Sequence, residues 1–216
     1  AEVASPVSTF SGQVDMSQQL FDQAAPGFDA MVASELGKSL AGNVDTLLLT
    51  GTGTAPQLRG LDNVSGITTV AYTDGTPTQA EFWPKLVEAA ARLATALGKP
   101  PTHVLAHPRR IAWLSAWIDS AGNAVAPELP FGMRLVPVSS ITTTSGAGTN
   151  EDRAYVIAAD ELPIMLGDVR VMIFPQVLSA TLTVRTRAHQ FASALFGRRP
   201  EAIAVVAGTG LTAPYA

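Results

Sequence analysis

Between Phe28 and Leu48 the apolar residues fall at Phe28, Met31, Val32, Leu36, Leu40, Val44, Leu47 and Leu48. Steps of three and four keep one face of an α-helix apolar, and Asp29, Glu35, Lys38 and Asp45 fall off that face. The spacing predicts a helix of about 22 residues, roughly 33 Å long at 1.5 Å per residue. Such a helix is a spine across a small protein, and the rest of the chain has to pack along it. Gly37 and Gly42 each weaken it by about 1 kcal/mol relative to Ala, so tertiary packing must hold it together. Gly51 fits the stop position after the last turn and opens the loop GTGTAPQLRGL at 51–61.

The helical pattern continues through the first half. Ser17 is a candidate N-cap for a short helix through Gln23, after a front of residues 1–14 that reads as a strand or a loose arm. A second amphipathic helix is expected from Thr78 to Leu97, marked by Phe82, Leu86, Val87, Ala90, Leu93, Ala94 and Leu97, with Gly98 as its stop. Pro84 inside that span predicts a kink or a later start. Pro108 heads a third helix carrying Ile111, Trp113, Leu114, Trp117 and Ile118. The segment 133–138 reads as a strand, and 139–152 as a flexible polar loop. The last third alternates instead: 154–158, 169–174, 181–187 and 203–207 are strand-like, with Leu182 and Val184 sharing one face. Helices first and strands later predict an α+β fold.

Composition narrows function. The chain has 216 residues, 47% of them hydrophobic, and no cysteine. That is enough for a real core, and it rules out disulfides, thiolate zinc and a cysteine nucleophile. Fourteen Lys and Arg against eighteen Asp and Glu give a net charge of −4, the wrong sign for a dedicated nucleic-acid binder. No apolar run approaches the roughly 18 residues of a membrane helix, and the front has neither the basic nor the apolar region of a signal peptide.

The residues that could carry chemistry do not assemble into a site. The GTGT loop follows a helix, where both nucleotide fingerprints follow a strand, and it lacks the Lys-Ser/Thr of a P-loop. It therefore reads as a helix stop and turn. His103 and His107 lie about 13 Å apart if both are on one strand face, too far for one metal, and His189 has no neighbouring carboxylate. There is no GxSxG elbow. The pairs Glu151–Asp152 and Asp160–Glu161 read as solvated loop charges, Trp113 and Trp117 as core packing one helical turn apart, and Arg198–Arg199 as a charged turn. No catalytic, cofactor or metal residue is assigned.

The order of the pieces carries a resemblance. A spine helix ends in LLLTGTGTAPQLRGL, with Gly51, Gly53, Thr54, Gly60 and Leu61 at marked positions. An HPRR element at His107, Pro108, Arg109 and Arg110 heads a helix. Arg185 and Arg187 on a strand precede Arg199, Pro200 and Ala202. Over residues 7–208 this resembles the major capsid proteins of tailed phages, the Hong Kong 97-like fold.

The resemblance implies an α+β Hong Kong 97-like capsid fold. Residues 1–15 would be a remnant of an E-loop or N-terminal arm, so the chain reads as a trimmed form or a fragment. Residues 16–60 and 165–199 would form a P-domain, its spine helix packed on a β-hairpin. Residues 61–164 and 200–216 would form a mixed α/β A-domain with a C-terminal tail. It implies a non-enzymatic subunit with no cofactor, self-assembling into homo-pentamers and homo-hexamers that enclose DNA through weak, non-specific contact. It leaves open a scaffolding, protease, portal or decoration partner, and implies no membrane. The location implied is the virion capsid, assembled in the bacterial host cytoplasm. The alternatives are an encapsulin-like compartment shell enclosing a cargo enzyme, an α/β enzyme using the 51–61 loop as a phosphate cradle, and a ligand-binding module with a pocket around Trp113 and Trp117.

Overall fold

The computed structural model describes residues 5–23, 27–125 and 128–213. The expectations for the first four and last three residues lie outside that set. The chain folds as two compact units, Ala1–Asn63 with Ile164–Leu195, and Val64–Pro163 with Phe196–Ala216.

The first unit is a four-stranded antiparallel sheet under one long helix. Strand β1 (Ser8–Ser17) pairs along its whole length with β8 (Thr183–Ala194). The other edge of β8 takes β6 (Ile164–Leu166) and β7 (Arg170–Leu178). Ser17 Oγ accepts the Leu20 N–H at 3.2 Å and starts the short α1 (Gln18–Gln23). The spine is α2 (Phe28–Thr50), 23 residues long. Its Leu40, Val44 and Leu49 are buried, as are Phe10, Met16, Val184 and Ala188 of the strands below.

Two expectations fail here. Met31 is exposed, because the apolar stripe of α2 meets the core only over its later turns. Leu49, off that stripe, is buried instead, where the 51–61 loop folds back on the helix end. Leu182 does not join Val184 on a strand face: it stands at φ 49° and is 73% exposed, spent on the turn between β7 and β8.

The second unit is a five-stranded mixed sheet in the order β2 (Thr68–Ala71), β9 (Ile203–Thr212), β5 (Glu151–Ile157), β3 (His103–Ala106), β4 (Arg134–Pro137). Helix α3 (Gln79–Leu97) packs on it through Phe82, Leu86, Ala89, Ala90 and Leu93. Thr78 and Glu81 form a reciprocal capping box, so α3 starts ahead of Pro84 rather than after it, and Gly98 at φ 72° ends it. Helix α4 (Pro108–Ser115) is shorter than its apolar spacing suggested. Past it the chain closes a small turn on Asp119, which accepts the N–H groups of Ala121 and Asn123 at 2.8 Å. Trp117 and Ile118 therefore lie beyond the helix, and Ile118 bridges Ala124.

Candidate assembly surfaces

The HPRR element is a helix start bolted to the sheet. His107 caps α4, its Nδ1 accepting the Arg109 N–H at 3.2 Å, and Pro108 takes the first helical position, where no N–H is needed. Both arginines then turn to Asp152. Arg109 donates from Nε to Oδ2 at 2.9 Å and also pairs with Oδ1, while Arg110 Nη2 donates to Oδ2 at 3.1 Å and to the Thr212 carbonyl at 2.7 Å. The Arg110 guanidinium lies 4.8 Å from the Trp113 ring and 5.9 Å from that of Phe82. Burial pulls its pKa down, and Asp152 opposes that shift.

Glu151 and Asp152 are thus not solvated loop charges. Both are buried on β5, where the pairing register shifts between Glu151 and Arg153. A carboxylate clamped by two arginines is a structural tie between α4, β5 and β9, not an acid/base group. Asp160 stays exposed as expected, whereas Glu161 is drawn below the usual carboxylate range by Lys99 and also sits 3.9 Å from Arg199. His103 Nδ1 lies 2.9 Å from Thr102 Oγ1, and His189 stands edge-on to Phe191. No group of three or more His, Asp or Glu able to hold a metal occurs among the described residues.

Six N–H groups of the 51–61 loop find acceptors within the loop or at the helix end. Gly51 donates to Leu47, Gly53 to Leu58, Gln57 to Thr54 and Gly60 to Gly51. The Thr52 and Thr54 N–H groups are taken by Gln57 Oε1 and Thr52 Oγ1. Asn63 Nδ2 donates to the Thr50 and Gly51 carbonyls at 3.0 Å and closes the helix end. The glycines are there for backbone approach: a Cβ on Gly51 would stand 2.3 Å from the Leu58 carbonyl oxygen. With those donors occupied, the phosphate-cradle reading has no structural support.

The first unit carries most of the exposed large apolar side chains. Nine of the sixteen exposed large hydrophobic side chains among the described residues lie within 164–182, so the exposure is concentrated on β6, β7 and the turn after them. Val171 and Ile173 pair with Ala188 and Thr186 and share the helix-side face. The helix does not cover them, and they line an open cavity of about 290 Å³ with Met16, Val32 and Ala33. On the opposite face the register builds the rows Asp15–Arg185–Phe174, Gln13–Arg187–Met172 and Ser11–His189–Arg170. Arg185 holds Asp15 bidentately at 2.7 and 2.8 Å and lowers its pKa. This surface escaped the sequence reading, because an apolar strand facing water and one facing a core look alike.

In the second unit, Trp113 is core, as expected, but Trp117, past the end of α4, is only half-buried and does not join it. Trp117 and Trp83 stand over an apolar pocket of about 270 Å³.

The profile of the phage capsid family matches residues 1–193. No curated protein matches. Among solved structures, a chain from Gordonia phage Cozz superposes with a TM-score of 0.72 at 15% identity, covering 94% of this chain and 70% of that one. The virus-like particle from Pyrococcus furiosus gives a TM-score of 0.70 at 16% identity, over 93% of this chain and 77% of that one. The capsid of a native GTA particle, computed with C5 symmetry, gives 0.66 at 15% identity, over 94% and 73%. This chain is therefore similar in fold to shell proteins.

Proposed function

Because the chain belongs to the phage capsid family, as a structural subunit of a capsid, we propose that its copies close into pentamers and hexamers that enclose DNA. In this reading the unit built on α2 and the β1–β8–β7 sheet is the P-domain, and the unit built on the five-stranded sheet is the A-domain. The division of the chain into two compact units supports that assignment. Assembly takes place in the bacterial host cytoplasm, and the product is the virion shell.

The observation that carries the proposal is β7. It has β8 on one edge and, among the described residues, no strand on the other, and its apolar residues Val171, Met172, Ile173 and Val177 are exposed, with Val171 and Ile173 on one face and Met172 on the other. An uncovered apolar edge strand is an aggregation hazard in a monomer and an interface in an assembly. The net charge of −4 suits a wall that contains DNA without gripping it. The family match favours this reading over an encapsulin-like compartment, which would hold a cargo protein.

Light scattering with negative-stain imaging of the full gene product tests it. Closed shells, or rings of five and six, are expected. A product that stays monomeric at every concentration overturns the proposal, and particles that protect protein but no nucleic acid from digestion favour the compartment.

A further inference from the structure

We infer that β1 of one copy pairs with β1 of a second copy across a two-fold axis at Gly12, so that two sheets become one. The contact rests on the capsid reading and supplies what joins one ring of copies to the next.

The register of β1 shows which of its backbone groups are free. Gln18 donates its N–H to the Leu182 carbonyl at 2.7 Å, and this pair continues the unbroken pairing of β1 with β8. Opposed residues in an antiparallel pair alternate between bonded and non-bonded, so the even-numbered residues of β1 are bonded to β8. Thr9, Ser11, Gln13 and Asp15 therefore turn their N–H and C=O groups outward. Among the described residues no hydrogen bond reaches those backbone groups.

The other edge of this sheet is guarded. Strand β7 carries Pro175 and its register shifts between Phe174 and Leu178, while β6 is three residues long. Proline, bulges and short strands are how an edge refuses a partner. Strand β1 runs ten residues with no proline, lysine or arginine and no shift of register. Its one charge, Asp15, is held by Arg185 of the same sheet.

The register that uses all four outward residues is centred on Gly12, and its pairs fit a second copy. Thr9 meets Asp15 of the second copy and Ser11 meets its Gln13, so hydroxyls face a carboxylate or an amide and the two Asp15 carboxylates stay apart. On the helix side Phe10 meets Val14, a large side chain beside a smaller one. Gly12 meets its own counterpart in a non-bonded pair, where Cα atoms approach to about 4.5 Å. Within one copy nothing asks for glycine there: the pairing has no bulge, and a Cβ would find only Leu36, at 3.6 Å. Close approach of another backbone is the reason left for a glycine inside a strand.

The chain has no cysteine, so a single introduced thiol reports the axis. In oxidised particles of the full gene product, Gly12→Cys should give a covalent dimer on a non-reducing gel, since Cα atoms about 4.5 Å apart lie within disulfide reach. Val14→Cys should not, because it would stand about 14 Å from its counterpart. Gln13→Pro removes an outward N–H and no bond to β8. It should leave the monomer's thermal midpoint in place and weaken association roughly tenfold or more. Wild-type shells in which Gly12→Cys stays uncrosslinked, or Gln13→Pro assembling at wild-type strength, overturn this contact and leave the shell reading standing. Equal crosslinking of Val14→Cys means random collision and overturns it too. If Gly12→Cys does not assemble, Gln13→Pro decides alone. Failure of the wild type to assemble overturns both this contact and the proposed function.

Discussion

Arg110 Nη2 donates to Asp152 Oδ2 at 3.1 Å, and both side chains are 1% exposed. The pair joins residues 42 apart in sequence and anchors α4 to β5. Removing one partner of a buried pair leaves the other charge uncompensated, which costs about 3–5 kcal/mol. Asp152→Asn strands two arginines and should lower the stability of the second unit by that amount. Arg110→Met should cost less, since Asp152 keeps Arg109 and the new side chain still packs on Trp113 and Phe82. Urea unfolding followed by tryptophan emission measures both, and equal losses would show that Arg109 does not hold Asp152 when Arg110 is gone.

The glycines divide by what a Cβ would meet. At Gly42, exposed in α2, nothing lies within 4 Å, so Gly42→Ala should stabilise the first unit by about 1 kcal/mol through helix propensity. At Gly60 a Cβ would stand 2.5 Å from the Leu49 carbonyl oxygen, so Gly60→Ala must push the loop off the helix end and destabilise. Urea midpoints of the two variants should move in opposite directions.

These cases also mark what the chain discloses before folding. The spine helix was legible because its period holds from Phe28 to Leu48, and β9 because its apolar run is short and bounded. The roles of Asp152 and the 51–61 glycines were not, since each depends on a partner that sequence distance hides: Arg110 for one, the Leu58 and Leu49 carbonyls for the other. Leu182 kept strand alternation with Val184 although a turn claimed it. The assembly surface was hidden for a deeper reason. Alternation says that Val171 and Ile173 share a face, but the side chains that cover that face need not belong to the same copy.

Acid should loosen the sheet end at Asp15. Hydrogen bonds from Arg185 hold the Asp15 pKa below its ordinary value of 3.8. A carboxylate with a lowered folded-state pKa contributes stability that is present in full above 3.8 and is lost as pH falls through the lower folded-state value. The midpoint difference between wild type and Asp15→Asn should therefore be constant near neutrality and shrink below pH 3.8. A difference unchanged down to the acid limit would mean that the pair adds no pH-linked stability.

Strand β7 offers the most direct separation of folding from assembly. Val171 and Ile173 are 44% and 49% exposed, so each already has about half its surface in water and little of the monomer's core depends on it. Lysine at either site keeps its stem along the sheet and its ammonium in solvent, and should change monomer stability by about 0.5 kcal/mol or less, as surface substitutions do. In an assembly the same ammonium would be buried against another copy without a partner, at a cost of several kcal/mol per contact. That cost recurs in every copy of a closed shell, so Val171→Lys and Ile173→Lys should fold with near-wild-type midpoints and fail to form particles. Light scattering beside thermal unfolding reads both quantities on one sample. Particles formed at wild-type yield by both variants would place the assembly contact elsewhere and leave the exposed Val171 and Ile173 without a role in it.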